Sequence, residues 1–287
     1  MRVSTSFQLG LPGRWIVSAV ALGYVVWTLD GHGVLRGPWP PADVRWLAIA
    51  VAGLPLNLGF EVAKWMRLTH VRTGPAIRQV LVGAAAGFLT PNRIGDGFGR
   101  AAAAAPEDRE RAMRAWTTSA GAQALVTLAA GAGALLAADR LGWALLATLA
   151  AFIGTRLFLS WSPLVTPWTS AEPVPARLRA EALLWSSARY AVFTAQFLAA
   201  LIAFGILPPD PSAAAAAVPD IATVWLCNTL VPTAALGELG VREALTLAVL
   251  DPAAPFAAGA AAAAFCVWAM NLALPAALGA LLFTRRP

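Results

Sequence analysis

The sequence predicts an all-α polytopic membrane protein with about six spanning helices and two re-entrant segments, arranged as two inverted repeats. Three observations predict it. Hydrophobic residues fill 59% of the 287 positions and charged residues 13%, and the apolar residues form runs too long for ordinary core helices. The basic residues that give the net charge of +6 lie between those runs, where they set membrane orientation, and nucleic acid is not an expected partner. A motif of proline, glycine, acid and arginine occurs twice, about half a chain apart.

In chain order, Arg2 and Arg14 precede an apolar stretch from Trp15 to Leu29 with no small-x-small cleavage site after it, so a retained first helix is expected. Further runs of spanning length lie near 44–63, 115–138, 141–160, 181–206 and 254–283. Val80 to Thr90 and Ile221 to Thr233 are too short to cross, and each ends at or beside a proline, which predicts re-entrant segments. Pro106 to Arg114 reads as a short cytoplasmic helix, with proline and acids at its start and arginine toward its end. The stretch from Leu207 to Asp220, with two Asp and no basic residue, reads as an outside loop. Counting basic residues by side gives sixteen against four, which puts both termini in the cytoplasm.

The repeat carries the most information. Pro91-Asn92-Arg93-Ile94-Gly95-Asp96 with Arg100 follows the first short segment, and Pro232 with Leu236-Gly237-Glu238-Leu239-Gly240-Val241-Arg242-Glu243 follows the second. The Gly, acid and Arg positions are each offset by 142 residues, and the same offset carries the neighbouring apolar elements onto one another in order. Residues 1–140 then form a first repeat and 141–287 a second, each running span, span, re-entrant segment, span. Three crossings is an odd number, so the second repeat is inverted relative to the first. Many secondary transporters have this construction, because exchanging the conformations of two inverted halves exchanges the side that is open.

These two motifs resemble the paired signatures of the lysylphosphatidylglycerol synthase transmembrane region, also called the flippase-like domain family, and the resemblance covers essentially the whole chain. It implies a lipid translocase in the inner membrane of a prokaryote. The lipid would be a phospholipid, an aminoacyl-phospholipid, or a polyprenyl- or hopanoid-type lipid. The chain ends at Pro287 directly after its last span, so the soluble aminoacyl-transfer domain of the bifunctional synthases is expected to be absent. The first motif departs from the pattern in having Asp96 with three residues before Arg100, where the family suggests Glu and a tighter spacing.

Charged side chains at membrane depth cost roughly 2.5–3.5 kcal/mol each on insertion scales, so those near the segment tips need a reason to be there. Arg93, Arg100 and Arg242 are the expected phosphate ligands, because guanidinium pairs well with phosphate oxygens. Asp96 and Glu238 would orient them or meet a cationic headgroup, and Glu243 joins the substrate-binding set. Pro91 and Pro232, with Gly95, Gly237 and Gly240, are the expected helix breaks and hinges, freeing amides that can also bind an anion. The blander reading makes Asp96 with Arg100 and Glu238 with Arg242 plain i,i+4 pairs on interfacial helices. Arg189 lies about two turns inside its span, too deep to snorkel easily, and either contacts substrate or pairs with an internal carboxylate. Glu61, Lys64 and Arg156 are read as structural, the first two as a pair near the inner end of their helix.

Only Lys64 of the 21 basic residues is a lysine, a bias that by itself says little about phosphate. Cys227 and Cys266 lack metal-type or CxxC spacing, and His32 and His70 fall in loops expected on opposite faces. No nucleophile-elbow, P-loop or dinucleotide motif is present, so no enzymatic activity, cofactor or metal is expected. Two rival readings stay open, a transferase acting on a lipid carrier at the same cavity, and a non-transporting partner of a lipid-modifying enzyme.

Overall fold

The computed structural model describes residues 23, 25–27, 30, 41–90, 93–160, 174–231, 238–253 and 256–283. Among them every regular element is helical. In chain order they are α1 (Val44–Thr69), α2 (Thr73–Phe88), α3 (Gly95–Ala102), a 3₁₀ turn (Pro106–Asp108), α4 (Arg109–Ala137), α5 (Leu141–Ser160), α6 (Ala176–Ala203), α7 (Pro211–Leu230) and α8 (Glu238–Leu250). The last helix is continuous but has three parts, α9 (Ala257–Trp268), a π turn (Ala269–Ala273) and α10 (Leu274–Phe283). Five helical stretches are long and apolar enough to cross a membrane, Val44–Thr69, Pro106–Ala137, Leu141–Phe158, Pro211–Leu230 and Ala257–Leu282. The chain is a helical membrane protein.

Several boundaries differ from the sequence reading for local reasons. Pro106 to Arg114 is not a separate helix but the first turns of α4, because nothing after Arg114 breaks a run of Ala, Met and Arg with high helix propensity. The expected outside loop 207–220 is mostly helix. α7 starts at Pro211, where Asp210 caps it by accepting the Ala213 N–H at 3.0 Å, and the alanine run that follows favours helix. That makes α7 20 residues long, against the shorter segment expected from Ile221. α6 is 28 residues long but falls outside the five apolar stretches, since Ser186, Ser187, Arg189 and Gln196 lower the hydropathy of its otherwise apolar part. The expected first span at 15–29 lies outside the described residues but for a few positions.

The two longest-paired helices, α1 and α6, run antiparallel. The Asp43 N–H bonds the Ala203 carbonyl, Gln196 reaches the Ala50 carbonyl, Lys64 reaches Ser186 and Arg67 reaches Glu181. α2 folds back on α3 through Thr90, whose hydroxyl donates to the Ala86 carbonyl at 3.2 Å and accepts the Gly95 N–H at 2.7 Å. The approach is close enough that a Cβ at Gly83 would meet the Asp96 carboxylate and the Arg100 stem. α2 packs on α10, and α7 packs on α4. At Gly279 the α2–α10 approach brings a would-be Cβ onto the Leu81 carbonyl.

Two apolar cores flank the middle of the α1–α6 pair. One joins Phe197, Leu201, Ile221, Val224 and Val267, and the other joins Trp65, Leu68, Val80, Ala115 and Phe158. Outward-facing Leu145, Leu146, Leu149 and Phe152 make α5 an apolar outer surface. Charged side chains gather between the cores.

Candidate functional site

The site starts from helical spacing. Asn57, Glu61 and Lys64 on α1, and Ser186, Arg189 and Gln196 on α6, fall on single helical stripes, and antiparallel packing turns the two stripes toward each other. Glu61 is the hub. Its Oε2 accepts from Arg189 Nη1 at 3.0 Å and forms an ion pair with Lys64 Nζ at 2.9 Å, and its Oε1 accepts the Ser119 hydroxyl at 3.2 Å and forms an ion pair with Arg100 Nη1 at 2.9 Å. The four partners come from α1, α6, α3 and α4, so one carboxylate ties four helices together.

The second layer fixes the cations. Arg100 grips Asp96 with two N–H groups at 2.8 and 3.0 Å and lies 4.6 Å over the Trp65 ring, whose indole N–H donates to Gln79 at 2.7 Å. Arg189 Nε donates to Asn57 Oδ1 at 2.6 Å, and Lys64 also donates to Ser186 at 3.2 Å. Asn57 in turn donates to Asn271 Oδ1 at 2.8 Å. Asn271 lies in the π turn, where Pro275 has no N–H to offer the Asn271 carbonyl and its ring crowds it. Burying an ion costs several kcal/mol, and ion pairing of Glu61 with Lys64, Arg100 and Arg189 offsets that cost here.

Of these groups Glu61, Lys64, Asp96, Arg100, Ser119 and Arg189 line a cavity of about 390 Å³ bounded by α1, α3, α4, α6, α7 and α8. Arg242, from α8, is buried with its guanidinium 5.2 Å over the Trp225 ring. Arg100 and Arg242, the paired motif arginines, therefore each rest on a tryptophan face. Five basic side chains, Lys64, Arg93, Arg100, Arg189 and Arg242, face two carboxylates, Glu61 and Asp96, across the described lining, an excess of three positive charges. A low-dielectric chamber of that sign concentrates anions.

The cavity thus collects Arg93, Asp96, Arg100, Arg189 and Arg242 from the expected substrate-binding set. Arg189 pairs with an internal carboxylate, Glu61, one of its two alternatives, and it also lines the cavity. Asp96 and Arg100 do form the i,i+4 pair of the blander reading, but a buried one on the cavity wall. Glu243, also of the expected set, is buried and not on the lining, and its Oε2 accepts the Gly240 N–H at 2.7 Å within the first turn of α8. Gly240 there has φ 91°, a conformation that favours glycine, and Gly95 opens α3. Pro91, Pro232 and Gly237 lie outside the described residues, and so does the side chain of Glu238.

The expected Glu61–Lys64 pair is present at 2.9 Å, and it lies buried at the centre of the site, a place that sequence reasoning did not give it. The signal available was their alignment with Asn57 on an otherwise apolar helix. Trp116, Trp225, Gln123 and Asn228, also on the lining, carried little distinguishing signal. Lys64, Arg100 and Arg242 are buried, which sets them apart from the loop charges that orient a chain. Among the described residues no group of His, Cys, Asp and Glu gathers as metal ligands. Compared with family models, curated proteins and solved structures, the chain matches none.

Proposed function

We propose that this protein is a lipid translocase that admits a phosphate-bearing headgroup into the arginine-lined cavity while the acyl or prenyl tails stay in the bilayer. The observation that carries the proposal is the excess of cationic side chains around a chamber inside a membrane protein. Charge is costly at that depth, and an anionic headgroup is the ligand that offsets it. Backbone and side-chain donors on rigid helices supply the geometry that guanidinium–phosphate pairing needs.

Alternating access by two inverted halves is part of the same reading. The 142-residue offset carries α2 onto all but the first turn of α7, with both ending at equivalent positions, and carries α3 onto the start of α8. The partners exchange accordingly. α2 packs on α10, in the counterpart of α4, while α7 packs on α4 itself. The related helices α1 and α6 run antiparallel, which inversion requires. The resemblance of the two motifs to the lysylphosphatidylglycerol synthase transmembrane region points the same way, toward a prokaryotic inner membrane with cytoplasmic termini.

The test is leaflet exchange of labelled phospholipid in vesicles containing the purified full chain. Wild type accelerates exchange, and Arg93→Ala or Arg242→Ala slows it roughly tenfold, the equivalent of one charge-assisted hydrogen bond of about 1.5 kcal/mol. Unchanged exchange in both variants, or none in wild type, overturns the proposal. Chemical conversion of the lipid by the purified chain would identify a transferase instead.

A further inference from the structure

We infer that the headgroup taken by this cavity is net anionic, a phosphate ester whose remaining part is uncharged and bears hydroxyls, as in a phosphoglycerol or phosphosugar lipid, and that cationic aminoacylated headgroups are rejected. The inference deepens the translocase reading and rests on it for the lipid nature of the ligand.

The first support is how the lining charges are engaged. A headgroup ammonium needs a carboxylate, and among the described residues both lining carboxylates already hold cations. Glu61 accepts from Lys64, Arg100 and Arg189, and Asp96 accepts both donors of Arg100. Among the described residues Arg93, by contrast, lines the cavity with no carboxylate on its guanidinium. Its backbone φ of 55° sets it at the turn between α2 and α3, so the chain adopts an uncommon conformation at the position of this cation. An added phosphate finds a donor there, whereas an added ammonium finds only like charge.

The second support is independent of charge. On the α4 and α7 side of the same cavity three uncharged polar atoms are buried without a hydrogen-bond partner among the described residues, Gln123 Oε1, Asn228 Oδ1 and Trp225 Nε1. Trp225 is 5% exposed, so bulk water does not satisfy its N–H. Buried polar atoms left unpaired are costly and call for a partner. Two acceptors beside one donor match hydroxyl groups, each of which donates and accepts, and exchanging O and N in either amide leaves that match intact. A cavity of about 390 Å³ is within the range of small-ligand sites.

The experiment measures lipid binding to the purified full chain by native mass spectrometry, with acyl chains held constant and only the headgroup varied. Phosphatidylglycerol is expected to bind at least about tenfold tighter than lysylphosphatidylglycerol or an uncharged glucosyl diacylglycerol. It is also expected to bind severalfold tighter than phosphatidylmethanol, which keeps the phosphate and lacks the hydroxyls. Arg93→Gln should abolish the first preference, and Asn228→Leu or Gln123→Leu the second, with the other preference retained in each case. Equal or tighter binding of the lysylated lipid overturns the charge assignment, and equal binding of phosphatidylmethanol overturns the hydroxyl assignment. Glycerol 1-phosphate binding as tightly as the lipid would assign the site to a soluble phosphate ester and overturn the lipid part. If headgroup selection appears without leaflet exchange, the inference stands and the translocase proposal falls. If lysylated lipid binds and is exchanged fastest, the translocase proposal stands and the inference falls.

Discussion

Glu61 on α1 and Arg189 on α6 are 128 residues apart in sequence and 3.0 Å apart in the fold. That contact joins two helices that run antiparallel along most of their length, and it does so at the wall of a cavity. Glu61 also holds Lys64 and Arg100, so a single carboxylate balances three cations drawn from three helices.

Removing that carboxylate should therefore cost far more than one hydrogen bond. Glu61→Gln leaves Lys64, Arg100 and Arg189 packed together without their shared counter-ion, and an unpaired buried charge destabilises by about 3–5 kcal/mol. Unfolding in detergent followed by tryptophan fluorescence should show that loss, with partial recovery on adding Lys64→Met. A variant as stable as wild type would contradict the hub. Arg67→Ala, which breaks a largely exposed pair with Glu181, should leave stability unchanged.

The bridge from α1 to the π turn is testable by a double-mutant cycle. Asn57→Ala and Asn271→Ala each remove one end of the 2.8 Å hydrogen bond. Interhelical polar contacts in membrane proteins couple by about 0.6–1.7 kcal/mol, so the two losses should fall short of additive by that amount. Strict additivity would mean the two amides do not act as a pair.

Helix approach makes a sharp contrast between glycines. Gly279→Val places a side chain against the Leu81 carbonyl and Gly83→Val places one against Asp96, so both should lower the yield of folded protein. Among the described residues a Cβ at Gly133 meets nothing within 4 Å, and Gly133→Ala should gain about 0.5–1 kcal/mol from helix propensity alone. Thermal stability of the three purified variants orders them. A stable Gly279→Val would place α2 and α10 farther apart than described.

The start of α7 carries a pH dependence. The Ser212 hydroxyl and the Ala213 N–H hold the Asp210 carboxyl below its ordinary value. A carboxylate depressed in the folded state contributes fully above its unfolded pKa of about 3.9, and the contribution is lost as pH falls through the lower folded value. Hydrogen exchange of the Ser212 and Ala213 amides should quicken below about pH 4, relative to the intrinsic rate, in wild type. In Asp210→Asn, whose amide still caps without titrating, that step should be missing. An identical pH profile in both would contradict the charged cap.

Apolar runs and the 142-residue offset made the spans and the paired motifs legible, and the motif side chains Arg93, Asp96, Arg100 and Arg242 do converge on one cavity. Helix starts were less legible, because a capping Asp210 and an alanine run extended α7 into what read as loop. Glu61 and Lys64 do form the expected pair, but its place among four helices was not legible, because a charged pair near the end of an apolar helix has the same local pattern whether it meets headgroups or a partner helix. Only the register of α1 against α6 decides between them, and that register is a tertiary property. The contact of Glu243 with the Gly240 N–H was not legible either, since in sequence Glu243 looks like one more acid in the motif.

Alternating access to the cavity is best tested at Ala124, a small lining residue on α4. With Cys227→Ser and Cys266→Ser removing the native thiols, Ala124→Cys in oriented vesicles is treated with a membrane-impermeant thiol reagent from one face at a time. If the cavity opens to each side in turn, the cysteine reacts from both faces. Reaction from one face only, whatever lipid is supplied, would contradict a translocation pathway through this site.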